Sequence, residues 1–418
     1  MIAKPSRLPP LPNKDSIPKQ HAPFSIPDTL DELKDALMKP VELSTLLKNV
    51  PQQPKGTSSA HPFIGGSSTG LKRVNHLMST GSMTGYKSSR NGLIGTDFST
   101  KLSAWLALGC ITARQIHHSL IAFEDGTLSG SPSSSSNAKS WSDVRGYGGG
   151  ENDGTKAVRF ELLWRDYMRL CTRKFGPQLF RVSGFREDTS TKWRYKDDSD
   201  ETRDILQRFL EGTTGTGLID ASQRELFLTG YTSNRARQNV ASFLAKHLSM
   251  DWRLGAEWYE CMLIDYDVSS NWGNWQYVAG VGNDPRGEGR VFNPVKQSWD
   301  YDSRGEYVLS WVSELNDANK KDSGLEAKEI FQAWEIPAEK KKALDLDGVR
   351  WVNQPLKQIN FSAGRGGGHR GGRGGRGGRG GKRNVNFPEG GGGPPAGDGN
   401  NGGRGGYANA RYGSGGQS

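Results

Sequence analysis

Residues 251–275, DWRLGAEWYECMLIDYDVSSNWGNW, decide the fold prediction. The side chains of one helix face recur there at spacings of three and four: Leu254, Trp258, Cys261, Met262 and Asp265. This largely apolar face ends in a carboxylate, and Asp267 adds a second one two residues later. A buried carboxylate is costly unless a cation or a hydrogen-bond donor contacts it. The stretch therefore predicts a buried helix whose acidic end meets either a protein side chain or a ligand.

Outward from this stretch, alternating strand patterns are sparse between residues 61 and 355, which predicts an all-α domain over 61–355. A Ser/Gly-rich stretch at 125–157 predicts a flexible insertion. Residues 1–60 predict a largely irregular linker with one helix, Asp28–Leu47, which Pro40 should break. The segment 276–300 looks irregular. The predicted helices are 67–78, 103–111, 156–176, 202–212, 220–230, 233–249, 252–264 and a last one at 306–315.

The basic charge of the chain is concentrated near its end. Lys and Arg number 55 against 45 Asp and Glu, a formal net charge of +10. Residues 364–383 repeat RGG without an apolar side chain, so 356–418 is predicted to be a disordered Gly/Arg-rich tail. Arginine pairs with phosphates and stacks on bases, which favours RNA or single-stranded nucleic acid as its partner. The alternative is a tail that only solubilises the protein.

Cysteine usage and hydropathy exclude several classes of protein. Cys110, Cys171 and Cys261 all stand in apolar helical patterns and predict reduced core thiols in an intracellular protein. Nucleus, cytoplasm and mitochondrion remain alternative compartments. The sequence has no CxxC motif or Cys/His cluster, so no metal is expected. It also has no run of about 18 apolar residues, so no membrane span is expected.

Polar residues beside apolar helical patterns mark candidate binding groups. At 99–103, STKLS, hydroxyls and one cation precede an apolar helix, which predicts either a phosphate site or an ordinary N-cap. Glu161 and Arg165 form either a surface ion pair or, because aromatic neighbours occupy the same helix, groups that face a pocket. Arg235 and Arg237 follow Asn234 at a helix start, where their charge opposes the helix dipole and favours an anionic partner.

Several motifs together resemble the FAD-binding helical domain of the photolyase/cryptochrome family over residues 61–320. They are FIGG at 63–66, ELLWRDYMR at 161–169, TGTGLIDAS at 214–222, the segment 229–285 and RVFNPVKQSWDYDSRGEYV at 290–308. Four motifs resemble the cryptochrome DASH branch specifically: YKSSRN at 86–91, SNRARQ at 233–238, NWGNW at 271–275 and GVGNDPR at 280–286. RGG tails occur on fungal members of that branch.

The resemblance implies an FAD site with residues at stated positions. Arg237 would pair with Asp265, and Asn271 would stand near flavin N5 and tune the redox states. The implied phosphate contacts are Tyr86, Ser99, Thr100, Lys101, Leu102 and Ser103. The implied contacts with the rest of the cofactor and its surroundings are Glu161, Arg165, Asn234, Arg237, Asp265, Asp267 and Asn271.

The resemblance also implies residues for chemistry and for DNA binding. Glu161 matches the acid that meets a damaged pyrimidine pair, and a raised pKa would let its proton stabilise the dimer radical anion. Three tryptophans, Trp275, Trp252 and Trp193, match the residues that pass an electron inward to photoexcited FAD. Asn234 matches a residue beside the flavin. The implied DNA contacts are Glu161, Arg165, Asn234, Arg235, Lys296 and Gln297.

Three functions are compatible with this reading. The first is light-driven repair of cyclobutane pyrimidine dimers by a monomer, in which reduced FAD donates an electron to a dimer flipped out of DNA, preferentially single-stranded DNA. The second is a blue-light photoreceptor or nucleic-acid-binding regulator with little repair activity. The third is a helical scaffold without a cofactor. Retention of Glu161 and Asn234 favours the first function.

The sequence also departs from the family pattern. TGTG at 214–217 replaces TGYP, which removes a tyrosine and a proline expected near the pocket rim. Tyr231 replaces a tryptophan of many relatives, and Val158 replaces an aromatic residue of some. Residues 1–60 resemble only the linker that follows the family's N-terminal antenna domain. The chain is therefore expected to be a fragment or truncated form without the antenna folate, methenyltetrahydrofolate.

Overall fold

The computed structural model describes residues 29–38, 47–132, 137, 140–284, 291–316 and 324–361. The chain divides into two units, Met1–Lys48 and Asn49–Ser418. The helix described in the first unit is α1, Leu30–Met38. It ends before Pro40, so the predicted helix Asp28–Leu47 is confirmed in its first half. The predicted tail lies outside the described residues from 362 onward.

The second unit is helical, and its described residues contain two isolated β-bridges but no β-strand. The all-α prediction is therefore confirmed. A π-helical turn, Phe243–His247, follows α9 directly. No helix within the described ranges has both the length and the apolar character needed to cross a membrane. The helices are α2 Ser67–Ser79, α3 Ser82–Ser89, α4 Ser103–Ala107, α5 Ala113–Glu124, α6 Asp153–Phe175, α7 Asp200–Leu210, α8 Gly217–Thr229, α9 Asn234–Ser242, α10 Trp252–Met262, α11 Val268–Ala279, α12 Pro294–Tyr301, α13 Glu306–Trp311, α14 Ala327–Phe331, α15 Ala338–Ala343 and α16 Arg350–Asn353.

Two predictions about the C-terminal half are wrong. The segment 276–300 is not irregular throughout, because it contains the end of α11 and most of α12. The start of α12 is fixed by Asn293, whose side chain accepts a hydrogen bond from the N–H of Lys296 at 3.0 Å, and by Pro294 in the first turn. The helix at residue 306 is not the last one, because three short helices follow it.

The predicted insertion 125–157 contains a part that belongs to the core. Trp141 and Val144 are buried in the cluster that α2, α3, α4, α5 and the start of α6 enclose. The last residues of the stretch are helical, since α6 begins at Asp153, where the Asn152 side chain accepts hydrogen bonds from the N–H groups of the first turn. The Ser/Gly-rich composition of the stretch did not indicate that Trp141 and Val144 are core residues.

The periodic face read in residues 251–275 is correct for its first two turns only. Leu254 and Trp258 are buried, but α10 ends at Met262 and Asp265 lies in the loop before α11. The prediction of core thiols holds for Cys171, which is buried, while Cys110 is half-buried and Cys261 is exposed. Cys261 was placed in the core because the periodicity was continued through to Asp265.

α6 is the long helix against which α3 and α11 both pack. A Cβ at Gly154 would lie 2.2 Å from the carbonyl oxygen of Met83, so glycine permits the close approach of α3 near the start of α6. Farther along, Met168 of α6 fills the space beside Gly273 of α11. The two glycines therefore set the spacing of three helices that later prove to surround the functional cleft.

α8 is buried along most of its length although it carries several charged and amide side chains. Asp220 accepts hydrogen bonds from the N–H groups of Thr214 at 2.6 Å and Gly215 at 2.9 Å. Glu225 accepts one from the hydroxyl of Tyr307 at 2.6 Å. Burial raises the pKa of Asp220 to about 6 and that of Glu225 to about 7. These carboxyl groups are thus satisfied by the protein itself.

The segment 214–217, TGTG, packs inside the fold, and its expected position near a pocket rim is wrong. Thr214 and Thr216 are fully buried. Gly215 has φ +86°, and a Cβ there would lie 2.6 Å from the carbonyl oxygen of Trp351. A Cβ at Gly217 would lie 2.5 Å from the carbonyl oxygen of Ile330 in α14. The departure from TGYP therefore concerns the packing of C-terminal helices.

We expect Gly217→Ala to lower the free energy of unfolding by about 1–3 kcal/mol, because the added methyl group must displace the backbone of α14. Gly85→Ala in α3 is the matched control, since a Cβ at Gly85 meets nothing within 4 Å and alanine favours a helix. Denaturant unfolding of both variants measures the difference. Equal stabilities would contradict the packing described for TGTG.

Candidate functional site

A deep cleft opens between α6, α9, α11 and the segment 99–107. Its cavity volume is about 260 Å³, and it adjoins a second hollow of about 120 Å³. The two parts share Asn234, Arg237, Asp265, Asp267, Ser270 and Asn274. The sequence-suggested residues that line only the first part are Tyr86, Ser99, Thr100, Lys101, Leu102, Ser103, Glu161 and Arg165, whereas Asn271 lines only the second. Every residue suggested as a cofactor contact thus lines the cleft.

The segment 99–103 is held in place by Arg73, a residue that sequence reasoning missed. Its guanidinium donates to the carbonyl oxygens of Ser99 and Thr100, each at 3.1 Å, and pairs with Asp97 at 2.7 Å. Lys101 has φ 54°, and its ammonium group donates to Gly95 O at 2.6 Å. Burial lowers the pKa of Lys101 to about 7, with Arg73 as a smaller cause. The cleft therefore has a fixed, cationic rim here.

Glu161 faces the cleft from α6 and forms an ion pair with Arg90 of α3. The Nη1 atom of Arg90 lies 2.5 Å from Oε1 of Glu161, so the guanidinium is in direct contact with that oxygen. Burial raises the pKa of Glu161, and Arg90 opposes the rise. Arg165, one turn farther along α6, lines the same space and pairs with Asp166 at 3.2 Å. Burial therefore favours the protonated form of Glu161, whereas Arg90 favours its carboxylate.

Arg237 and Asp265 form the ion pair that divides the cleft into its two parts. Nη2 of Arg237 lies 3.0 Å from Oδ2 of Asp265, and Nε donates to Thr232 O at 2.9 Å. Burial alone would lower the pKa of Arg237, but the carboxylate of Asp265 more than compensates and raises it. The Asp265 side chain is only 3% exposed. Its Oδ1 atom, like the hydroxyl of Tyr259, is buried without a hydrogen-bond partner.

Asp267 and Asn271 position α11 along the same wall. Asp267 caps the helix by accepting from the N–H of Ser270 at 2.9 Å, and its other oxygen pairs with Arg169 at 2.7 Å. The side-chain amide of Asn271 donates to Ala256 O in α10 at 2.9 Å. Both side chains are thereby held by protein contacts on one side while the cleft lies on the other.

Comparison with known proteins connects this geometry to a cofactor. The family model described as the FAD binding domain of DNA photolyase matches residues 158–358. The putative mitochondrial cryptochrome DASH of Neurospora crassa is 54% identical over 373 residues, which is 85% of this chain and 48% of the relative. The chain belongs to the photolyase/cryptochrome family. It fits the cryptochrome DASH branch, as the sequence motifs indicated.

Two further similarities agree with this membership. The putative cryptochrome DASH of Gibberella zeae is 49% identical over 367 residues, 85% of this chain and 50% of the relative. The crystal structure of a cryptochrome from Synechocystis superposes with a TM-score of 0.60 at 39% identity, covering 74% of this chain and 56% of that one. The chain thus spans about half the length of the curated relatives it matches.

The chemistry of the cleft fits the FAD that this domain type binds. An FAD molecule combines an anionic pyrophosphate with a flavin ring whose edge carries hydrogen-bond donors and acceptors. Hydroxyls and Lys101 along the segment 99–103 supply partners for the pyrophosphate. The unpartnered Oδ1 of Asp265 and hydroxyl of Tyr259 supply an acceptor and a donor deeper inside. A polar ligand at this depth would satisfy both atoms.

The three predicted electron-carrying tryptophans occupy successive depths. Trp275 is buried and lines the second hollow, Trp252 is fully buried, and Trp193 is half-buried. The ring of Trp275 packs over Gly255 of α10, where a Cβ would lie 2.2 Å from it. An isolated β-bridge between Arg194 and Met250 brings the segment that contains Trp193 beside the start of α10. Neither Trp252 nor Trp193 lines the cleft.

The residues suggested only for DNA contact lie outside the cleft lining. Arg235 is buried, donates to Gln297 Oε1 at 3.0 Å and Asn91 Oδ1 at 2.8 Å, and stacks over Tyr301. The structure therefore gives Arg235 a packing role, and direct DNA contact by its side chain is not supported. Lys296 is partly exposed and pairs with Asp300 at 2.8 Å.

Sequence reasoning missed several residues that line the cleft. Arg90 lies four residues after Tyr86, one turn of helix, so its position on the same face was readable from spacing. Trp164, one of the aromatic neighbours of Glu161 on α6, also lines the first part. Tyr259 and Tyr266 of the second part stand in the opening stretch but off its periodic face. No group of His, Cys, Asp and Glu in the described ranges converges as metal ligands.

We expect Asp265→Asn to abolish retention of FAD and to destabilise the apoprotein, because Arg237 loses its buried counter-charge. Removing one partner of a buried ion pair typically costs about 3–5 kcal/mol. The measurements are the FAD released per purified chain and the unfolding of the apoprotein in denaturant.

Asp251→Asn is the matched control for this change. Asp251 is also nearly buried and pairs with Arg253 at 2.6 Å, but it lies outside the cleft lining. This variant should lose stability and still retain FAD. If Asp265→Asn kept FAD with unchanged affinity, the central position assigned to the Arg237–Asp265 pair would be wrong.

Proposed function

We propose that this chain carries out light-driven repair of cyclobutane pyrimidine dimers, preferentially in single-stranded DNA. The observation that carries the proposal is the position of Glu161. It faces the open part of the cleft, next to the pocket proposed for FAD, and burial raises the pKa of its carboxyl group against the opposing effect of Arg90. A photoreceptor that only reduced its flavin would have no need of such an acid at the mouth.

Bound reduced FAD would supply, on excitation by light, the electron that splits the cyclobutane ring. The chain's own contribution begins with binding. A dimer flipped out of its strand enters the mouth between Glu161 and Arg165, and the apolar wall at Val158 and Trp164 excludes water. A protonated Glu161 then donates a hydrogen bond to a carbonyl oxygen of the dimer and stabilises the negative charge that develops there.

Trp275, Trp252 and Trp193 are proposed to keep the cofactor reduced. Trp275 lines the second hollow and Trp193 is half-buried, which supports a path from the hollow to the surface along which an electron can move inward. Asp265, Arg237 and Asn271 are proposed to hold the flavin edge. Electron entry by this path serves repair and photoreception equally, so it does not separate the two functions.

The preference for single strands follows from the cost of flipping. A dimer in a stable duplex must be unstacked and unpaired before it reaches the mouth, at a cost of a few kcal/mol, which a single strand largely avoids.

The RGG tail, outside the described residues, is proposed to add loose, salt-sensitive binding to single-stranded nucleic acid or RNA. The name of the Neurospora crassa relative makes the mitochondrion the first compartment to test.

The repair proposal predicts that protein with fully reduced FAD splits dimers in a single-stranded oligonucleotide under near-UV light. Glu161→Gln should lower the yield of splitting per absorbed photon by roughly 10²-fold, the lower range for a positioned proton donor. Glu257→Gln is the control, because Glu257 is an exposed residue of α10 away from the cleft. Dimer loss is measured by chromatography of the digested oligonucleotide.

Absence of ring splitting with reduced FAD bound would reject the repair proposal in favour of the photoreceptor. Full splitting by Glu161→Gln would retain repair but remove Glu161 from it.

A further inference from the structure

A fourth tryptophan, Trp272, touches the proposed electron path at its middle. The rings of Trp272 and Trp252 are 5.8 Å apart between centroids and lie at 80° to each other. Trp272 is 5% exposed, and the half-exposed ring of Phe180 covers it edge-on at 4.9 Å. Trp252 therefore contacts a second indole directly, and the path has a branch point there.

The hydrogen bonds of the two indoles differ in one decisive respect. The N–H of Trp272 donates to Oε2 of Glu260 at 2.9 Å. The N–H of Trp252 donates to the backbone carbonyl of Val182 at 3.0 Å. A carboxylate can accept the proton outright, whereas a peptide carbonyl can only share it. Glu260 is exposed on α10, so a proton that it accepts can pass to water.

Among the residues that the structure describes, no Lys or Arg forms an ion pair with Glu260. Tyr266 hydrogen-bonds the same carboxylate, and burial together with this bond raises the pKa of its phenol to about 12, so the phenol stays neutral. The next charged group around Tyr266 is Asp267, which is already paired with Arg169. Glu260 therefore faces two neutral donors, Trp272 and Tyr266.

We propose that Trp272 and Glu260 form a proton-coupled exit branch of the tryptophan path, at which the oxidised indole is trapped as a neutral radical. The inference rests on the proposed inward electron path through Trp275 and Trp252. After Trp275 has given up an electron, Trp252 reduces Trp275, and Trp272 then reduces Trp252. The oxidised Trp272 then transfers its indole proton to Glu260, which releases it to water. An external thiol returns one electron and one proton to Trp272 and leaves as a thiyl radical, which couples to a disulfide.

The physical consequence is a longer-lived charge separation. An indole radical cation on Trp252 can take its electron back from the cofactor. Once Trp272 has lost its proton, return of the electron also requires return of a proton, and the reverse step is slower. Trp193 and Trp272 are then two parallel ends of one path, and either can serve alone.

The test is flash photolysis of FAD-loaded protein with dithiothreitol as the thiol, following the radical cation and neutral radical of tryptophan by their absorption. Trp193→Phe should keep a long-lived neutral radical, and the double variant Trp193→Phe with Trp272→Phe should lose on the order of tenfold in its yield. In the Trp193→Phe background, Glu260→Gln should slow deprotonation of the oxidised Trp272 indole by roughly 10²-fold. With Glu260 present, the rate of this deprotonation should fall in deuterated solvent.

Two controls keep the outcomes separate. Trp258→Phe changes another buried tryptophan of α10, one that stacks on Phe227, and should leave the radical yield unchanged. Trp252→Phe should abolish the long-lived radical. If Trp252→Phe has no effect, the proposed path fails together with its branch. Two results would overturn only the branch. In the first, Trp252→Phe abolishes the radical, but the double variant gives the same radical yield as Trp193→Phe. In the second, Trp258→Phe lowers the radical yield as much as the double variant does.

Discussion

The ion pair between Arg237 and Asp265 is the constraint on which the site depends. It connects the start of α9 to the loop between α10 and α11. The helices α9, α10 and α11 form the inner wall of the cleft. Because Asp265 is buried and Arg237 is its cationic partner, loss of Arg237 would leave an uncompensated buried charge. The pair also leaves Oδ1 of Asp265 without a partner. A buried carboxylate oxygen without a hydrogen-bond partner needs a ligand beside it, and the proposed flavin edge is the group that fits.

Buried polarity by itself does not identify such a site, as α8 demonstrates. Asp220 and Glu225 are as deeply buried as Asp265, but backbone N–H groups and the hydroxyl of Tyr307 satisfy them. The difference is that Oδ1 of Asp265, which lacks a hydrogen-bond partner, borders the cleft, whereas Asp220 and Glu225 line neither of its parts. Within one helical domain, the same residue types therefore serve packing in one place and ligand binding in another.

Most residues of the cleft were predicted through the family resemblance, and local pattern singled out two of them independently. Arg237 at a helix start and Asp265 after an apolar face each required a partner, and the structure pairs them. The pairing of Arg90 with Glu161 could not be predicted from spacing, because it joins α3 to α6 across 71 positions. TGTG was misplaced because position in a motif does not reveal burial against distant helices such as α14. Arg235 was assigned to DNA because its charge is visible in the sequence and its partners, Asn91 and Gln297, are not.

The most direct test of the account is the stoichiometry of FAD on the purified chain, measured by absorption and by quantifying the flavin released on denaturation. The account predicts a yellow protein with a single FAD per chain, because every residue proposed to hold the cofactor lies within residues 86–275. A folded but colourless protein that fails to take up added FAD would contradict it.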